Sequence, residues 1–218
     1  MLYSNNRKLL LSGWLQVHDA PAYCSPLRLQ KYLFLYEAFS KVAQDQADFS
    51  RLKGYKRGPV FSPVWGDYTK DRKEFDARTL ALYNQEKANV NELRAKRASF
   101  IVSSLSEDEL SALTHQFHIW HAKSQRIMSG EQQVELCEND FNEADSEIVR
   151  MLEKMYPTEM IQNSEIINVG ERYFVFSKND MAKLTEQHLD ILSMVSEQKE
   201  LHNPVYVEID EDGRLCVD

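Results

Sequence analysis

The 218-residue chain is 43% hydrophobic and 28% charged with a net charge of −8. That balance excludes a disordered, charge-rich polymer and supplies enough apolar material for one sizeable core, or for one domain plus an appendage. The longest early apolar run, Leu9-Leu10-Leu11 with Gly13-Trp14-Leu15 after it, is too short and too interrupted for a signal peptide or a membrane span. Cys24, Cys137 and Cys216 are widely spread and form no Cys-x-x-Cys pair. They therefore fit reduced thiols in a cytoplasmic protein.

Charge is distributed unevenly. Residues 1–127 hold 19 Lys and Arg against 13 Asp and Glu, whereas 128–218 hold 7 against 21. Solvated helix faces that happen to differ would produce this, and so would an acidic C-terminal third that meets a basic partner or screens the basic part of the chain.

Along the chain, residues 4–18 have the spacing of a first helix with Leu10, Trp14 and Val17 on one face. Ser25-Pro26 is a cap-then-proline signature that opens a second helix running to about Val42. Its apolar residues wrap most of the circumference, which predicts a central, buried helix. The segment Tyr55 to Tyr68 carries Pro59 and Pro63, which cannot share one helix interior. A turn followed by a short helix is expected there, forming a rigid aromatic knuckle flanked by Lys53, Lys56, Arg57, Lys70 and Arg72.

Helical patterns continue over 75–86 and 90–104, and Ser106-Glu107-Asp108-Glu109 has the form of a capping box. Leu110, Leu113, Phe117 and Trp120 form the inward stripe of the next helix. Another helix is expected from Asn142 to Tyr156 with Ala144, Ile148, Leu152 and Met155 on its buried side. Beyond it lie two short hairpins, 166–176 and 205–217, on either side of a helix over 183–198 whose Leu184, Leu189, Leu192 and Val195 are available for burial. The fold class expected is mainly α, α+β overall: a compact multi-helix domain over 1–158 with a small C-terminal extension over 159–218.

Chemistry-bearing clusters are few. His115, His118 and His121 lie on one expected helix, but at offsets of about 60° per three residues they spread over about 120°, too wide for one metal. A metal-dependent hydrolase using His115 and His118 is the weakest alternative. There is no Gly-x-Ser-x-Gly elbow, P-loop or dinucleotide fingerprint. Glu107/Glu109 and Asp210/Asp212 belong on solvated faces or turns. No catalytic residue, metal ligand or cofactor is therefore expected. The basic run 51–73, with Tyr55, Trp65 and Tyr68 interleaved, leaves a nucleic-acid-binding regulator as an alternative, against which stand the acidic total and the lack of a helix-turn-helix pattern.

Three segments share a resemblance. Leu27-Arg28-Leu29-Gln30-Lys31-Tyr32-Leu33-Phe34-Leu35-Tyr36, then Tyr55-Lys56-Arg57-Gly58-Pro59-Val60-Phe61-Ser62-Pro63-Val64-Trp65, then Leu110-Ser111-Ala112-Leu113-Thr114-His115 with Trp120 downstream are similar, in order and spacing, to motifs of the Panacea (SocA-like) antitoxin domain family of toxin–antitoxin modules and phage-associated proteins. The likeness covers about residues 8–156. Ile119 stands where that family tends to have a proline, and Lys56-Arg57 replaces its usual residue ahead of Gly-Pro. The resemblance implies a cytoplasmic antitoxin, not an enzyme, that neutralises a cognate toxin by direct contact; some relatives deliver the toxin to an ATP-dependent protease. No membrane partner is implied, and a homo-oligomer is compatible with it. The partner-binding surface is expected at Tyr55, Lys56, Arg57, Gly58, Pro59, Val60, Trp65 and Tyr68, with Leu29, Lys31, Leu33, Tyr36, Thr114, His115 and Trp120 as structural residues of the motifs.

Overall fold

Side-chain caps start the first three helices. In the computed structural model, which describes residues 1–217, Asn5 accepts from the Lys8 N–H to open α1 (Asn6–His18) and Asp19 accepts from Ala22 to open α2 (Ala20–Cys24). Ser25 accepts from Arg28 ahead of Pro26 at the start of α3 (Pro26–Val42). An oxygen at each N-cap satisfies one of the N–H groups that a helix start leaves without a partner. As its composition predicts, α3 is buried all round, from Leu29 through Phe39, and α1 and α2 pack against it, as do the helices Glu92–Ser104 and Glu107–Gln116 further along the chain.

After α3 come β1 (Leu52–Tyr55) and β2 (Gly58–Phe61), paired antiparallel, then α4 (Ser62–Lys70), α5 (Arg72–Glu86), α6 (Glu92–Ser104) and α7 (Glu107–Gln116). The expected turn is therefore the end of a β-hairpin. Ser62 does not cap α4; its hydroxyl donates to Arg51 O at 3.1 Å and Pro63 sits within the first turn. The capping box at Ser106 is formed as the sequence indicates, with Glu109 returning to the Ser106 N–H.

Several faces differ from their periodicity. Gly13 lies so close to α5 that an added Cβ would stand 2.2 Å from Thr79 O. That approach sets the rotation of α1, and Val17 turns outward. The expected histidine helix is two: α7 stops at Gln116, Phe117 is extended, and α8 (His118–His121) begins again. The cause is Asp145, a fully buried carboxylate that accepts from the His118, Ile119 and Asn142 N–H groups. Asp145 also rotates its own helix, α10 (Glu143–Met155), which follows α9 (Ser124–Met128) and β3 (Val134–Glu135). Asp145, Val149 and Leu152 face inward, and Ala144 and Met155 stay outside.

Helix α11 (Thr158–Asn163) leads to β4 (Ser164–Val169) and β5 (Arg172–Ser177). Past α12 (Lys178–Met181) and α13 (Glu186–Ser196), β6 (Val205–Ile209) pairs parallel to β5, and β7 (Leu215–Val217) closes the sheet in the order β4-β5-β6-β7. The two expected hairpins are thus one sheet. Phe174, Phe176, Val205, Val207 and Ile209 gather with Leu192 into a second core, from which Leu189 is turned away, while Val175 on the opposite face joins the first core. Strand alternation divides the two faces. Two polar ties join the extension to the body: Arg28 donates to Tyr173 at 2.6 Å, and Glu109, expected in solvent, accepts from Asn203 Nδ2 at 3.0 Å. With 60% helix and 14% strand, the chain is a mainly helical α+β fold.

One buried ion cluster secures the N-terminal half. Glu37, inaccessible on α3, accepts from Arg7 Nε at 2.8 Å and Nη2 at 2.9 Å, from Lys8 Nζ, and from the Asp48 N–H at 3.0 Å. Removing one partner of such a cluster leaves buried charge uncompensated. Glu37→Ala should cost about 3–5 kcal/mol in denaturant unfolding, whereas Glu74→Ala, at an exposed residue paired with the N-terminus, should change stability by less than about 0.5 kcal/mol.

Candidate functional site

The β1–β2 turn is held by side-chain hydrogen bonds at Tyr55 and Arg57, on either side of Lys56. Tyr55 pairs with Gly58 across the hairpin, leaving Lys56-Arg57 as the connection. Tyr55 O accepts from Trp120 Nε1 at 3.1 Å. The His115 ring lies against the Lys56 backbone, and Arg57 O accepts from Lys31 Nζ. One clamp residue comes from each of α3, α7 and α8, that is, from the first and third of the segments singled out above. His115 and Trp120 also stack, with ring centroids 3.8 Å apart and planes 14° from parallel.

Gly58 makes this approach possible. Its φ is +102°, and a Cβ there would stand 2.1 Å from Lys31 Nζ and 2.5 Å from Thr114 Oγ1. Neither Lys56 nor Arg57 takes a positive φ, so the left-handed step that a short hairpin loop needs falls on Gly58 alone. Farther along β2, the Phe61 N–H donates to Gln30 Oε1 at 2.8 Å, one residue before Lys31. Hence α3 holds both ends of β2.

Beside the clamped turn lies a groove of about 660 Å³, within the roughly 300–1,000 Å³ range of ligand sites. Leu27, Tyr55, Val60, Trp65 and Ile127 line it, together with Lys31. Its opposite rim is the 130–133 segment, which no sequence motif flagged. The only local sign was Gly130, at φ +103°.

Lys31 is 1% exposed. Burial, with the nearby Arg57 charge adding to it, lowers its ammonium to a pKa of about 7. Among the described residues no carboxylate forms an ion pair with it, and Arg57 O is its one hydrogen-bond acceptor. Burial and the Lys31 charge likewise push His115 below the usual histidine range, and its Nε2 is buried without a partner.

The expected contact residues divide into two groups. Lys56 and Arg57 are exposed at the turn, Tyr55 and Val60 are half-buried in the groove wall, and Trp65 is 40% exposed. Gly58 and Pro59 are buried under the turn. Tyr68 is no surface anchor: its hydroxyl donates to Tyr23 O at 3.0 Å and Cys24 O at 2.9 Å, and the Arg72 guanidinium lies 4.0 Å above its ring. The motif residues Leu29, Leu33, Tyr36 and Thr114 are buried. No protein-family model, curated protein or solved structure matches this chain.

Much of the basic run is paired within the fold. Lys53 faces Glu135, Arg57 faces Glu107 and Asp108, and Arg72 faces Asp76. Phosphate binding by this segment would have to displace those carboxylates. Among the described residues, no three His, Cys, Asp or Glu side chains stand close enough to share a metal. No helix among them is long and apolar enough to cross a membrane.

Two outcomes follow for the clamp. Gly58→Ala must place a Cβ against Lys31 and Thr114 at a positive φ, so it should destabilise the chain by about 2–4 kcal/mol in denaturant unfolding. Lys31 binds fewer protons in the folded than in the unfolded state between about pH 7 and its unfolded value near 10.4, so its contribution rises with pH across that window. Relative to Lys31→Met, the unfolding free energy of the wild type should increase by roughly 1 kcal/mol per pH unit from pH 7 to about 9.5. Lys8, which burial also pushes down, contributes equally to both proteins.

Proposed function

We propose that this chain is a protein-binding antitoxin, and that the groove beside the β1–β2 turn receives part of its cognate toxin. The carrying observation is that exposed Lys56, Arg57 and Trp65 and half-buried Tyr55 stand on or beside a hairpin turn whose Tyr55 and Arg57 carbonyls are held by buried donors. Aromatic and arginine side chains dominate interface energetics, and a scaffold ordered before binding loses little entropy on docking. The order and spacing of the three Panacea-like segments support the same reading, since the first and third supply the clamp and the second carries the hairpin turn itself. Toxin neutralisation by contact asks for no bond-making, and delivery of the captured toxin to an ATP-dependent protease would use the same surface.

The reading is tested by co-expression with the adjacent small reading frame. That frame alone should arrest growth, and the wild-type chain should restore it. Trp65→Ala should lose restoration while its thermal midpoint stays within about 2 °C of wild type, because the side chain is 40% exposed and makes no side-chain hydrogen bond. Full restoration by Trp65→Ala would remove the groove from the account.

A further inference from the structure

The charges facing the groove do not balance. Glu107 on its rim is engaged by Arg57 and Glu131 by Arg126, at 3.2 Å for the first pair. Lys56 and Lys31 carry no such partner among the described residues. Lys56 is exposed and water solvates it, but Lys31 is not. An ammonium has three donors, and the one acceptor it has is the Arg57 carbonyl. A cation removed from water without a counter-charge is costly, and it either loses its proton or gains an anion. Leu27, Val60, Trp65 and Ile127 give the groove apolar walls, with Gln30, Gln132 and Gln133 among its other lining residues.

We propose that Lys31 is the receptor for a carboxylate, supplied by an Asp or Glu side chain that the partner protein inserts into the groove between apolar neighbours. This rests on the groove being the partner's seat. The apolar walls take up the flanking side chains, and the acidic group supplies the counter-charge that the free protein lacks. A charge pair made inside an apolar groove is worth more than the same pair in water. Lys56 at the mouth would guide an acidic segment inward.

The test uses acetylated hexapeptide amides with a central Glu flanked by Leu or Phe, each paired with its Gln counterpart, titrated into the full chain and followed by NMR of the lysine ε-carbons. Glu peptides should bind roughly tenfold or more tightly than Gln peptides, equivalent to about 1.4 kcal/mol, and should move the Lys31 signal. In Lys31→Met the preference should collapse to about one. Equal binding of Glu and Gln peptides, a preference retained in Lys31→Met, a response confined to other lysines, or no Glu peptide binding at all would each overturn the proposal. Hexanoate serves as the second arm: affinity equal to or above that of the best Glu peptide would make the groove a site for small carboxylic acids and overturn the protein-segment assignment. If Lys31→Met does not fold, the wild-type Lys31 signal alone decides. The two readings fail separately, because growth restoration lost with Trp65→Ala but kept with Lys31→Met removes only the carboxylate, whereas restoration kept by both removes the groove.

Discussion

Backbone carbonyls in a hairpin turn ordinarily point at water. Here Tyr55 and Arg57 give theirs to buried side chains from α8 and α3, and the His115 ring of α7 lies against the Lys56 backbone between them. The consequence is mutual dependence: the turn cannot move without orphaning a buried indole N–H or ammonium, and α3 and α8 cannot repack without losing their acceptors. A buried polar network of this kind is costly when half-made, so it selects a single arrangement. Gly58 is the steric condition for it, being the point where the chain passes over Lys31 and Thr114.

A second buried network works at the opposite end of α3. Glu37 draws in Arg7 and Lys8 from α1 and the backbone at Asp48, while Lys31, two turns earlier on the same helix, has no counter-charge. The contrast matters because both lysines are buried to a similar degree. Lys8 is part of a finished structural pair, with Phe61 beneath its ammonium at 4.1 Å. Lys31 is an unfinished one, and it borders the groove.

The uneven charge of the chain is partly resolved by folding. Arg57 meets Glu107 and Asp108 of α7, Lys53 meets Glu135 of β3, and Arg97 meets Glu153 of α10. Basic residues that look like a phosphate-binding run in one dimension are thus matched with carboxylates distant in sequence. What remains unpaired at the groove is cationic, which fits an acidic protein segment and leaves little for a nucleic-acid backbone.

Local signals determined much of the architecture. Ser25-Pro26 started the central helix, Ser106 to Glu109 formed the capping box of α7, and the all-round apolar character of α3 announced its burial, because caps and periodicity act within a few residues. The segments carrying Lys31, Gly58 and His115 were also legible as places of interest. Their joint purpose was not. The Phe117 break depends on Asp145, 28 residues later in the chain, and the rotation of α1 depends on Gly13 meeting Thr79. The merger of two hairpins into one sheet depends on a parallel pairing across a helix. Likewise, Lys31 meets Arg57, His115 meets Lys56 and Trp120 meets Tyr55 only when α3, α7 and α8 close on the turn. Burial and hydrogen-bond geometry between distant segments are properties of the packed chain, so only the tertiary structure decided that the three motifs build one clamped turn, with a groove and a lysine of unmatched charge beside it.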